Sequence, residues 1–355
     1  MSFLAFLIFS AVTVLSLPLE PRQDNTTAMS ADSLAGRPRQ QADAPYDVST
    51  STMQAAITCP KGIQHKRGGI VLLVHGTGST GEESWQNSPY NELLPTDPLG
   101  AGYDICWVDL PQRALGDVQT SAEYVAYSIN TLAPQSSTGK VAVLAHSQGA
   151  GLNVQWALDF WPSARSVTSM YIALAGDFHG TELGNDDCTP TQLANQGCVI
   201  AVVQQSVGSH YINAQNVRGG SALVPTSSIY TLYDDFVFPE TAGSAVSVLS
   251  GASNIYLQQN NICGSGHQAN HWAMITDTAA YGLALDALTH GGTASASRFQ
   301  SIYCNEYASN HNLNLSQTSV AAEQACLSSL VTGPMTFSEP KLRSYVCQQG
   351  QSTYC

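Results

Sequence analysis

The sequence predicts an α/β protein with a mostly parallel central sheet and helices on both faces. Three observations carry that expectation. Several short runs are continuously apolar, as strands covered on both faces must be. Helical segments alternate with them. No internal repeat or linker-like gap divides the chain, so one domain is expected. The first run, residues 70–74 (IVLLV), is broken by His75-Gly76-Thr77-Gly78. Residues 105–110 (ICWVDL) form the second, 122–133 read as a helix, and 140–145 (KVAVLA) make a third buried strand. Residues 148–161 carry apolar side chains at helical spacing and stop at Pro162, which cannot continue a helix. Residues 169–175 are a fourth strand, 229–233 and 254–258 two more, and 272–288 read as a helical run.

The chain has 355 residues, 43% apolar and only 11% charged, with a net charge of −13. That is enough apolar material for a large core and argues against disorder. The acidic balance excludes a nucleic-acid backbone as partner. Residues 3–17 are mostly apolar, short for a membrane span and the right length for a signal-peptide core, so residues 1–18 are expected to be a signal peptide. The polar stretch 19–44 reads as a propeptide or disordered lead-in with Arg37 or Arg39 as processing sites, and residues 45–355 as the mature domain. No later apolar run reaches membrane-span length. The expectation is a secreted, soluble protein, monomeric, without a transmembrane segment.

Nine cysteines, at 59, 106, 188, 198, 263, 304, 326, 347 and 355, imply disulfides in that compartment, and the odd count leaves at least one unpaired or intermolecular. None forms a Cys-x-x-Cys pair, so zinc-ribbon and thioredoxin-like readings lack support. Asn25 and Asn314 head glycosylation sequons.

Residues 141–149 (VAVLAHSQG) hold the chemistry. Ser147 follows a buried strand and precedes a helix, with Gly149 two positions on, which is the arrangement of a nucleophile elbow. Ala145 stands where the G-x-S-x-G pattern has its first glycine. The bland alternative is an ordinary serine helix cap. A neutral serine hydroxyl needs a base, and the base an orienting acid. In this fold the order is Ser, acid, His, each on a loop after a strand. The acid candidates are Asp234 and Asp235, with Asp234 preferred; His267, His271, His290 and His311 lie downstream, with His271 preferred and His267 its rival. The His267-x-x-x-His271 spacing could hold a metal, but Gln268 stands where a zinc protease needs glutamate. An oxyanion site requires donors where charge develops. The Gln148 N–H and Thr77, through its N–H and hydroxyl, are placed to supply them.

At this point the chain resembles the fungal lipase B family. The resemblance rests on VHGTGSTG, LAHSQGAG with VQWALDFWPSARS, ALAGDFHGT, VPTSSIYTLYDDFVFP and ICGSGHQANHW, in that order, and runs from about residue 57 to the C-terminus. It implies the α/β-hydrolase fold with a small cap over the active site, and Ser147, Asp234 and His271 as nucleophile, acid and base. It also implies Thr77 and Gln148 as oxyanion residues and Asp177 and Gln205 as polar groups lining the acyl side of the cleft. Pairings Cys59–Cys106 and Cys263–Cys304 follow from the same resemblance. The family's C-terminal bridge maps to Ser338 and Cys355, so Cys326 or Cys347 must partner Cys355 if it survives.

Departures from the family pattern limit the transfer. Ala145-His146 replace the family's Thr-Trp before the serine, so His146 is a cleft residue of altered character and alcohol selectivity does not carry over. His75 replaces a proline. Cys188 and Cys198, with nine residues between them in the cap, suggest a local stiffening disulfide. The expected activity is cleavage of carboxylic esters of lipids or other hydrophobic alcohols through an acyl-enzyme, including at a lipid–water interface, with no cofactor or metal. A short-chain carboxylesterase or a cutinase-like polyester hydrolase is the nearest alternative, and an inactive scaffold acting as a secreted binding protein is the remote one.

Overall fold

The structure, a computed structural model, describes residues 42–96, 102–242, 245–305, 307, 311 and 315–355. The expected signal peptide, most of the lead-in, Arg37, Arg39 and both sequon asparagines lie outside the described residues.

The strands are β1 (Ile57–Thr58), β2 (Ile70–Val74), β3 (Asp104–Val108), β4 (Val141–His146), β5 (Thr168–Leu174), β6 (Cys198–Val199), β7 (Thr226–Tyr230), β8 (Ser253–Tyr256) and β9 (Met335–Thr336). Seven form one sheet in the order β1-β3-β2-β4-β5-β7-β8, while β6 and β9 pair separately. Every neighbour in the large sheet is parallel except β1, which runs antiparallel to β3. β2, β3 and β4 are buried at every position, which is why their sequences read as unbroken apolar runs.

Alternation along β2 sends Ile70, Leu72 and Val74 to one core and Val71 and Leu73 to the other. The first core is closed by α1 (Val118–Leu132) and α2 (Gln155–Phe160), the second by α6 (Thr278–Thr289) with Trp85 and Tyr90. A cap of three short helices, α3 (Glu182–Asp187), α4 (Pro190–Asn195) and α5 (Ile200–Gln205), follows β5. Helix α7 (Leu315–Leu330) leads to β9, and β9 pairs with β6 at the cap. Among the described residues no helix is long and apolar enough to cross a membrane.

Several boundaries differ from the sequence expectation for identifiable reasons. Helix α1 starts earlier because the Asp117 carboxylate caps it, accepting from the Gln119 N–H at 3.0 Å. β7 begins at Thr226 and stops at Tyr230; its buried Ser227 and Ser228 hydroxyls donate to the carbonyls of Gly292 and Ser247, so polar residues are tolerated inside a strand. The 272–288 run is two elements, the turn Trp272–Ile275 and α6, because Asp277 caps the latter by accepting from the N–H groups of Ala279 and Ala280. The packed domain begins ahead of residue 45: Asp43 accepts from the Ser163 N–H, and the Ala44 N–H donates to the Phe160 carbonyl.

Disulfides join Cys59–Cys106, Cys263–Cys304 and Cys347–Cys355, which leaves Cys326 a buried free thiol. The cap bridge expected between Cys188 and Cys198 is not formed. Both are free thiols, and the Cys198 sulfur is turned to the Asp187 carbonyl at 3.8 Å.

Cys59–Cys106 ties the end of β1 to the middle of β3 across a sequence separation of 47. Restricting a loop of that size removes unfolded-state entropy worth about 4 kcal/mol. Replacing both cysteines by alanine is expected to lower the unfolding free energy by about that amount, read from denaturant titration under non-reducing conditions.

Candidate active site

Ser147 sits one residue past β4 in the left-handed region, with φ +57°. A non-glycine residue there costs about 1–2 kcal/mol, so the surroundings must hold it. Its N–H donates to the Leu174 carbonyl at 2.9 Å, and its own carbonyl accepts from Ala150 and Gly151. The helix opens with a wide π-type turn, Gly149–Val154, before α2. The turn closes only around missing side chains. A Cβ on Gly149 would stand 2.2 Å from the His75 carbonyl oxygen, and one on Gly76 would stand 2.7 Å from the Ser147 Cβ. This is the elbow expected from the sequence, and its glycine is required by steric contact.

Loops from three strand ends converge on the serine. His271 Nε2 lies 2.9 Å from Ser147 Oγ, and its Nδ1 lies 2.9 Å from Asp234 Oδ2. Asp234 Oδ1 accepts from the N–H groups of Phe236 and Val237 at 3.0 and 2.6 Å, which fixes the carboxylate. The side chains of both His271 and Asp234 are almost wholly buried. Burial alone would lower the His271 pKa; the charge and hydrogen bond of Asp234, aided by Asp235 and Asp177, reverse that and raise it. The rival residues are placed elsewhere. Asp235 accepts from the His271 main-chain N–H at 3.2 Å. His267 pairs with Asp277 at 2.8 Å, a hydrogen bond that raises its pKa. His290 contacts Asp286, and His311 is exposed.

Thr77 and Gln148 face each other beside the serine, the Thr77 hydroxyl donating to Gln148 Oε1 at 2.7 Å. Gln205 Nε2 donates to the same oxygen at 3.0 Å. The Gln148 N–H precedes the first intrahelical bonds, which begin with Ala150. The loop bearing Thr77 is held from outside. His75, kept neutral by burial, accepts from the Leu110 N–H at 2.9 Å. Gly78 exchanges hydrogen bonds with Arg113, whose backbone is left-handed along with that of Gln112 and Ala114.

A cavity of about 230 Å³ opens over the serine. Thr77, Gln205, Thr181, Leu183 and Val202 form its cap side. Phe236, Val237, Trp272, Cys326, Leu327 and Leu330 form the other. The α7 residues were not legible as site residues, because an apolar helix face carries no chemical motif and α7 is distant in sequence. Of the expected cleft residues only Gln205 is on the wall. Asp177 and His146 are fully buried behind it, and Trp272 occupies the wall beside His146.

Two further carboxyls lie beneath the site. Burial raises Asp177 to about 7 and Glu240 to about 9. Neither Asp177 oxygen has a side-chain hydrogen-bond partner, and its carboxyl rests on Gly151, where a Cβ would approach Oδ1 to 2.3 Å. Because the folded value exceeds the ordinary 3.8, the contribution of Asp177 to stability is intact below about pH 4 and lost as pH rises through about 7. Asp177→Asn removes this titration. The stability of the variant relative to wild type should therefore climb between about pH 4 and about pH 7, by up to about 4 kcal/mol, and level off above. Urea unfolding of both proteins across that range measures it.

No family model matches the chain. Over 327 residues it is 30% identical to lipase B of Pseudozyma antarctica, covering 90% of this chain and 91% of that protein. Its fold superposes on the crystal structure of Aspergillus fumigatus lipase B with a TM-score of 0.74 at 33% identity, covering 86% of this chain and 74% of that one. A mostly parallel seven-stranded sheet, a serine elbow after its central strand and this extent of likeness place the chain in the lipase B family, as an ester hydrolase of α/β-hydrolase fold.

Proposed function

We propose that the chain is a secreted serine hydrolase that cleaves esters of lipids or other hydrophobic alcohols through an acyl-enzyme, using Ser147, His271 and Asp234. The unbroken hydrogen-bonded series Asp234–His271–Ser147 carries this reading. His271 Nδ1–H donates to Asp234, which leaves Nε2 unprotonated and able to take the serine proton as Oγ attacks the ester carbonyl. The imidazolium that forms is stabilised by the buried Asp234 carboxylate. The negative charge on the carbonyl oxygen is met by the N–H groups of Gln148 and Thr77 and by the Thr77 hydroxyl, which turns from Gln148 Oε1 to the oxyanion. His271 then protonates the leaving alcohol, and water repeats the sequence on the acyl-enzyme. The raised His271 pKa places the acid limb of the rate profile above the ordinary imidazole value of 6.5, with activity rising as pH increases through it.

The surroundings favour an uncharged, water-shy substrate. Among the described residues no lysine or arginine lines the cavity, and the carboxylates that do, Asp187 and Asp235, disfavour an anionic substrate. Leu327 on its rim is half exposed, and just beyond it Val331, Met335 and Phe337 are 84%, 52% and 64% exposed. Large apolar side chains left in water beside a cavity mouth suit contact with an aggregated ester. Three disulfides fit an extracellular setting.

Hydrolysis of a p-nitrophenyl ester series from acetate to palmitate tests the reading. Ser147→Ala should lose at least about four orders of magnitude in kcat. Thr77→Val keeps the N–H and shape but removes the hydroxyl, and should lower kcat by about 10²–10³. Undiminished activity in Ser147→Ala would discard the proposed nucleophile, and activity confined to acetate and butyrate would replace the lipase reading with a short-chain esterase.

A further inference from the structure

We propose that His146 is a positioning residue that holds the main chain of His271 in register with Ser147. The inference rests on the reading of His271 as general base and assigns its support to a side chain that never meets substrate. His146 ends β4, immediately before Ser147, and is fully buried. Its Nε2 lies 3.0 Å from the main-chain carbonyl oxygen of His271. A carbonyl can only accept, so Nε2 must carry the proton. That fixes the tautomer and leaves Nδ1 as a bare lone pair, which is buried and has no hydrogen-bond partner. Leaving a buried polar atom unsatisfied is costly, so the site holds a histidine for what its other nitrogen does. Protonating Nδ1 would bury a cation with no acceptor beside the catalytic ring, and burial and the His271 charge hold the imidazole neutral.

His271 is gripped at four points. Its Nδ1 meets Asp234, its Nε2 meets Ser147, its N–H donates to Asp235 at 3.2 Å, and its carbonyl accepts from His146. The carbonyl also accepts a longer bond, 3.3 Å, from the Met274 N–H, which belongs to the same turn and moves with it. His146 is the contact that ties this turn to the strand bearing the nucleophile. The His146 ring also packs at 4.5 Å from the His271 ring and 5.6 Å from Trp272, which fills the cavity wall in front of it. A general base that drifts by a fraction of an ångström loses its aim on Oγ without altering how substrate binds.

The test uses three variants of the full mature protein. His146→Phe keeps the ring and removes the donor. His146→Gln places an amide N–H where Nε2 was, and His146→Asn places one where Nδ1 was. Initial rates with a p-nitrophenyl ester give kcat per active serine, counted by exhaustive fluorophosphonate labelling, and Tm monitors folding. The expected result is a loss of about tenfold or more in kcat for Phe and Asn, KM within about twofold of wild type, and recovery to within about threefold in Gln. The inference is overturned if Phe retains wild-type kcat, if Gln falls as far as Phe, or if KM rises in place of a fall in kcat. The last result would make His146 a shaper of the cavity. A folded wild type without esterase activity would overturn the general-base reading along with this one, whereas an active wild type with an unaffected Phe variant overturns only this one.

Discussion

The site depends on one strained residue. Ser147 must turn left-handed at the end of β4, because only then does its side chain stand above the sheet edge while the chain reverses into a helix. The sheet supplies the force that holds it there. β4 lies between β2 and β5, with Ala145 opposite Val74 on one side and His146 opposite Leu174 on the other, and the Ser147 N–H extends the second ladder by one more bond. With both flanks occupied, the chain can leave the strand only through the space vacated by Gly76 and Gly149. The His-Gly-Thr-Gly loop must therefore pass directly beneath the serine. That passage is also what brings Thr77 beside Ser147 and Gln148, where the proposed mechanism uses it as an oxyanion donor.

Around this point the structure sets out an unusual amount of buried acid. Asp234 is held by two main-chain N–H donors and by His271. Asp177, whose oxygens have no side-chain partner, and Glu240, which accepts from the Ser247 N–H at 3.1 Å, are both pushed up by burial. In the proposed mechanism the Asp234 carboxylate, 2.9 Å from His271 Nδ1, is the group that offsets a positive charge on that imidazole.

The departure at His146 changes which side chain forms the wall and which supports it. A histidine before Ser147 is too short to reach the cavity, and Trp272, immediately after His271, fills that wall. The polar nitrogen of His146 is then directed to the His271 carbonyl. Residue 146 has moved from the surface of the site to its frame.

Local chemistry determined much of this protein from the sequence alone. The unbroken apolar runs at β2 and β4 specify strands covered on both faces, and a serine at such a strand end with glycine two positions on has the arrangement of an elbow, because the close approach of the His75 carbonyl leaves no room for a Cβ at 149. The order of serine, Asp234 and His271 along the chain is likewise legible, because each follows a strand. Other features required the tertiary structure. The serines at the start of β7 are compatible with a buried strand only because Gly292 and Ser247 supply acceptors from elsewhere in the chain. Position along the chain favours His271 over His267, but the separate partner of His267, Asp277, comes only from packing. Cys355 pairs with Cys347 rather than Cys326 because α7 carries Cys326 into the cavity wall against Gly78. The cap cysteines stay unbridged, and the α7 wall and the buried state of His146 and Asp177 had no signature in sequence. These are contacts between distant segments, and local pattern records which residues are apolar or reactive but not which of them the fold brings together.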